Sequence, residues 1–181
     1  MEALIFCLRE LEKLKTVERG LYVGKRKESS AEHSWGCMLV ADILIDFVEE
    51  PLNRQKVLDY LLYHDVVEVY AGDAKFNDPE EMKAKPVKEQ QAFDRILEFI
   101  PNKERFKGII ESYEQRDSRE AQFAKAVDSL EACIRNLNSD HASFEDGFTP
   151  ELITQKYLPH VERFDITLKL FERLMDGLSK K

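Results

Sequence analysis

The chain has 181 residues, 43% of them hydrophobic and 34% charged, with a net charge of −8. That composition suits one soluble domain able to bury roughly 70% of its unfolded surface, and its acidity argues against binding nucleic-acid polymers, whose phosphates it repels. Cys7, Cys37 and Cys133 are odd in number and far apart, which argues against a disulfide framework or zinc ribbon and favours a reducing, cytoplasmic setting.

The opening "MEALIFCLRE" lacks the basic region and cleavage site of a signal peptide, and no apolar run approaches the roughly 18 residues of a membrane span. Instead Leu4, Cys7, Leu8, Leu11 and Leu14 recur at three- and four-residue steps, which predicts a helix over 2–15. "VERGLYVGKRKESS" comes next and reads as a loop. "SSAE" offers a capping box, Ser29 with Glu32 three residues on. The helix it opens runs to about Val48, with Cys37, Val40, Ala41, Leu44, Ile45 and Val48 on one face, and Pro51 ends it. Asn53 caps the next helix, in which Val57, Leu58, Leu61 and Leu62 face inward. His64 and Asp65 close that helix, and Gly72 breaks its short continuation. "AKFNDPEEMKAKP", with two prolines, reads as a loop. Helices are expected over 87–100, 103–115 and 119–138, the last capped by Ser118 and striped by Phe123, Val127, Leu130, Ile134 and Leu137. "NSDHASFEDGF" is a second loop. Thr149 caps a short helix, and a last amphipathic helix uses Phe164, Leu168, Phe171, Met175 and Leu178. Neither repeats nor strong period-two alternation occur, so the expected fold is all-α, a compact helical domain over 1–181.

Several polar residues fall where a core is expected. His33 lies four residues before Cys37, and His64 lies three after Leu61, so helical geometry turns both inward. Asp128 lies beside Val127 on the flank of an apolar stripe, and Asp65 adds a fourth group. A buried imidazole or carboxylate without a partner is costly, and four of them from three helices could share a divalent cation. Plainer readings stand beside this one. Either histidine could bond a carbonyl, Asp65 could be a wet helix end, and Glu68 and Asp73 could be solvated loop acids. Asp128 could pair with Lys125.

The ordered set resembles a known family. His33, the His64–Asp65 pair and Asp128 are similar to the H…HD…D pattern of the HD-domain metal-dependent phosphohydrolases. "SSAEHSWGCMLVADIL", "LLYHDVVEVYAGD", "YEQRDSREAQFAKAVDSLEACIRNL" and "LEKLKTVERG" resemble the branch of the bacterial 5′-deoxynucleotidases and the eukaryotic HD-domain-containing protein 2. The resemblance covers about residues 8–140, with the C-terminal helices packed on that part. It implies that His33, His64, Asp65 and Asp128 ligate the metal, that Glu68 orients or activates the attacking water, that Asp73 meets the sugar 3′-hydroxyl and that Arg19 holds the phosphate. The branch carries a tryptophan close after that arginine, whereas Gly20, Leu21 and Tyr22 stand here, and Arg26 is a substitute for Arg19.

The resemblance implies a metal-dependent phosphomonoester hydrolase, a 5′-nucleotidase acting on (deoxy)nucleoside 5′-monophosphates. Asp65 and Glu68 are its expected catalytic acids. The donor set favours Mn²⁺ or Co²⁺, with Fe²⁺, Zn²⁺ or Mg²⁺ as options, and the resemblance implies a homodimer. The alternatives are an HD-type hydrolase of another nucleotide or phosphate ester, and a non-catalytic helical scaffold that retains the fold. Trp35 reads as packing at a helix or subunit contact, Tyr63 as core, His141 and His160 as loop and surface residues, and Lys25–Lys27 as solvated.

Overall fold

The structure, a computed structural model, describes residues 1–138, 147 and 149–178. Among these, helices dominate: α1 (Glu2–Glu12), α2 (Ser30–Leu44), α3 (Arg54–Tyr63), α4 (Glu68–Ala71), α5 (Pro79–Leu97), α6 (Lys103–Gln115), α7 (Arg119–Asn138), α8 (Pro150–Val161) and α9 (Asp165–Leu178). Short 3₁₀ turns extend α1 and α2. The expected caps are present. Ser29 and Glu32 form a reciprocal capping box on α2, and Asn53, Ser118 and Thr149 each accept a backbone N–H of the first turn they precede, which satisfies donors that a helix start otherwise leaves orphaned.

The centre of the molecule is α7. It packs against α2, α3, α6, α8, α9 and the strand Glu18–Val23, so it is buried almost all round rather than along one stripe. Ala121, Ala124 and Ala126 let neighbouring backbones come close, while Phe123, Val127 and Leu130 fill the space between them, all at 0% exposure. Each of the larger three contributes about 1.5–3 kcal/mol by leaving water. A second apolar cluster joins Cys7 and Leu14 to Val66, Val67, Ile96 and Phe106 under α5 and α6.

Three expectations need correction. The supposed loop over 17–30 is a hairpin, β1 (Glu18–Val23) and β2 (Arg26–Ser29), antiparallel and turned at Gly24–Lys25. Gly24 takes φ 59°, the positive value that a two-residue hairpin turn demands and glycine supplies. The pairing runs Glu18 with Ser29 and then Tyr22 with Lys27, so Arg19, Gly20 and Leu21 bulge opposite Glu28 alone, and a bulge re-aims its side chains. The supposed loop over 74–86 is mostly the start of α5. Asp78 caps it, Pro79 sits in the first turn, where a missing N–H costs nothing, and Pro86 falls on an exposed face where water can replace the lost bond. On α1, Leu4 and Leu8 are exposed, and on α3 Leu62 points out while Tyr60 is buried. Most of the loop expected over 138–148, His141 included, lies outside the described residues.

Candidate metal centre

Four elements deliver the polar residues to one place. The capping box fixes where α2 begins, and His33 lies within its first turn and a half, fully buried. His64 is the C-cap of α3, so Asp65 leaves along the turn that leads into α4. Glu68 opens α4, and Gly72, at φ 74°, swings the chain so that Asp73 returns toward the site. Asp128 comes from the middle of α7.

These side chains converge. His33 Nε2 lies 2.9 Å from Asp128 Oδ1, and His64 Nε2 lies 3.3 Å from Asp65 Oδ2 and 4.0 Å from Asp128 Oδ1. The two imidazoles are 5.5 Å apart, centre to centre. The Cys37 thiol, one turn after His33, sits 3.4 Å from His33 Nε2. One donor atom each from His33, Cys37, His64 and Asp128 lie within 4.8 Å of one another.

The set fits a cation. His64 Nδ1–H donates to the Leu61 carbonyl at 2.9 Å, so its Nε2 lone pair faces the cluster. That Nε2 is buried with no hydrogen-bond partner, a state that costs about 1–3 kcal/mol if nothing answers it. Two imidazoles and two carboxylates are the donors a borderline or hard divalent ion takes. Asp128 is held ready to ligate, because its Oδ2 accepts from Lys125 Nζ at 2.7 Å and Tyr113 Oη at 2.9 Å, leaving Oδ1 for the cluster. Burial opposes its charge, but Lys125 and the histidines hold its pKa well below the usual carboxylate range. Burial likewise opposes Asp65, and His64 and Arg19 keep its pKa low.

Glu68 is different. It is 3% exposed and accepts from Ser30 Oγ at 2.6 Å. Burial, then the Asp65 charge, push its pKa up to about 8. The hairpin bulge brings Arg19 alongside. Its Nη1 is 3.1 Å from Asp65 and 3.9 Å from Asp73, and its Nε is 3.4 Å from buried Glu28. Arg26, by contrast, is exposed and engaged with Glu32, so it does not take Arg19's place. Beside Arg19 and Asp73 a small cavity of about 60 Å³ opens toward solvent, its far side formed by Phe76, Asn136, Ile153 and Tyr157.

Every site residue expected from sequence thus lies in or beside one cluster. Glu28, Ser30, Tyr113 and Glu131 were missed, as was the place of Cys37. Glu131 lies three residues after Asp128 on α7, a spacing that shares a helix face and could have flagged it. Lys125 does pair with Asp128, as the plainer reading had it, and the pair is part of the site. Trp35 is 64% exposed, Tyr63 is half-buried against Phe106, and His160 is half-buried within α8 rather than on a loop.

A family model described as HD domain matches residues 11–159. Human 5′-deoxynucleotidase HDDC2 is 29% identical over 151 residues, spanning 80% of this chain and 72% of that protein. A 5′-deoxynucleotidase of Vibrio vulnificus is 28% identical over 148 residues, 74% of this chain and 76% of its own. The crystal structure of a predicted metal-dependent phosphohydrolase from Magnetospirillum magnetotacticum is 27% identical and superposes with a TM-score of 0.85, over 99% of this chain and 92% of that one.

Proposed function

This chain belongs to the HD-domain family, and we propose that it is a metal-dependent phosphohydrolase that releases phosphate from (deoxy)nucleoside 5′-monophosphates. The observation that carries the reading is the juxtaposition of three things: the convergence of His33, His64, Asp65 and Asp128, the Arg19 guanidinium against its edge, and an open cleft beyond, lined by Asp73, Phe76 and Tyr157. The names of the human and Vibrio relatives support the substrate class.

His33, His64, Asp65 and Asp128 would hold the cation, with Mn²⁺ or Co²⁺ favoured. When bound, a divalent cation polarises a phosphoryl oxygen and lowers the pKa of neighbouring water. The chain's own residues do the rest. Arg19 offers a planar donor fork that matches phosphate, and the carboxylates around it hold that fork in place. Glu68 is the proton carrier, held by Ser30 and poised to exchange a proton with the water or the leaving alkoxide. Asp73, on the cavity rim, accepts from the sugar hydroxyl. Phe76 and Tyr157, 5.8 Å apart edge to face, supply apolar surface for the base. Gly20, Leu21 and Tyr22 stand where the branch carries a tryptophan, which favours tolerance of ribose as well as deoxyribose.

We take residues 1–181 as one domain and the protein as a cytoplasmic homodimer. Three free cysteines support the compartment. The dimer is supported by a stripe along α2 and its 3₁₀ extension, where Trp35, Leu39, Ile43 and Phe47 recur at four-residue steps, 46–65% exposed. A contiguous exposed apolar stripe is the kind of surface that marks a contact.

The test is phosphate release from a panel of deoxy- and ribonucleoside 5′-monophosphates after metal stripping and re-addition of Mn²⁺ or Co²⁺. Metal-restored release supports the reading. Silence across the panel with metal bound moves the substrate to another phosphate ester.

A further inference from the structure

His33 is gripped at both ring nitrogens. Nε2 faces Asp128 and the cluster, while Nδ1 lies 2.5 Å from Glu131 Oε2. Glu131 is itself buried, reaching His33 across the contact between α2 and α7. The α2 backbone makes room for it. A Cβ added to Gly36 would stand 2.7 Å from Glu131 Oε1 and 3.1 Å from its Cγ and Cδ. Gly36 has no other evident need to be glycine: it lies inside α2 without a positive φ, where glycine weakens a helix relative to alanine. Glu28 closes the far side of the group, one of its oxygens standing close to both His33 and Glu131.

A ligating imidazole whose second N–H is held by a carboxylate is fixed in tautomer and ring orientation and is a stronger donor. We propose that Glu131 is the positioning residue of this centre and that Gly36 is there to seat it: Glu131 accepts the Nδ1 proton of His33 and so commits Nε2 to the cation. The inference rests on the reading of His33 as a metal ligand. It makes Gly36, which offers no ligand atom, a determinant of metal affinity.

The experiment compares Co²⁺ affinity, by chelator competition at one pH, among wild type, Glu131→Gln, Gly36→Ala and His33→Ala. It adds the far-downfield proton spectrum of the zinc-loaded wild type and Glu131→Ala. Loss of a hydrogen-bonded group behind a ligand typically weakens metal binding by about 10- to 100-fold, and that is the range expected for Glu131→Gln. Gly36→Ala weakens binding in the same direction, because its methyl group displaces the Glu131 carboxylate from His33. The His33 Nδ1 proton is seen downfield in wild type and is lost in Glu131→Ala. Wild-type Co²⁺ affinity in both Glu131→Gln and Gly36→Ala, with affinity lost in His33→Ala, overturns the role of Glu131 and leaves the metal centre standing. Wild-type affinity in His33→Ala overturns the centre and this inference with it.

Discussion

Replacing Glu28 by glutamine probes the electrostatics around Arg19 without touching a proposed ligand. Glu28 is 2% exposed, opposite the hairpin bulge. Burial, then the Glu131 charge, push its pKa up to about 7 from 4.5, although His33 and Arg19 pull the other way. Its folded pKa is above its unfolded one, so the protonated form is the one that folding favours. The associated stability is present below pH 4.5, is lost as pH rises, and is gone once pH has passed the folded value. A shift of that size corresponds to about 3 kcal/mol, most of it lost by pH 7. Glutamine keeps the shape of the acid and never ionises. In the metal-free protein, the stability of Glu28→Gln relative to wild type should therefore climb by about 2–3 kcal/mol between pH 5 and pH 8. For a chain of this length that is roughly 5–10 °C in Tm. Urea or thermal unfolding of both proteins across that range, in chelator, measures the difference directly. A difference that stays flat with pH would refute the reasoning, because it would mean that Glu28 is ionised throughout or is not buried in the folded state.

Other outcomes are expected from the same geometry. Asp65→Ala should abolish phosphate release and most metal binding, since it removes both a ligand and the carboxylate that holds Arg19; full activity would sink the site assignment. Arg19→Ala should raise KM more than it changes metal content, and it should destabilise the fold by about 3–5 kcal/mol because Asp65, Glu28 and Asp73 lose their shared cation; unchanged kinetics would move the phosphate role elsewhere. Leu61→Ala, at a fully buried position between α3 and α7, should cost about 2–5 kcal/mol in urea unfolding, and a cost below about 1 kcal/mol would contradict the packing described.

The helices were legible because their signals are local. Periodic apolar residues and side-chain caps lie within a few positions of each other, so Asn53, Ser118 and the Ser29–Glu32 box marked real boundaries. The hairpin was hidden by its own irregularity. The bulge at Arg19–Leu21 interrupts the alternation that would have revealed a strand, and the same bulge aims Arg19 at Asp65. The first turns of α5 were hidden by Pro86, whose cost depends on an exposed face that one-dimensional reading cannot see. On α1 and α3, three- and four-residue spacing identified helices but not which leucines face the core, because that depends on the neighbours. The convergence of His33, His64, Asp65 and Asp128 was legible through their order along the chain. Its supports were not, because Glu28, Ser30 and Glu131 look like ordinary polar residues until the fold brings them beside Arg19, Glu68 and His33.

The proposed chemistry turns on a single divalent cation held between α2, α3 and α7. The most direct test is a crystal of the Co²⁺-loaded protein with anomalous data collected at the cobalt edge. One strong peak is expected at about 2.1 Å from His33 Nε2 and His64 Nε2, with Asp65 and Asp128 completing the contacts. A strong peak at a different group of residues, or none among these four in a protein shown to retain cobalt, would contradict the claim.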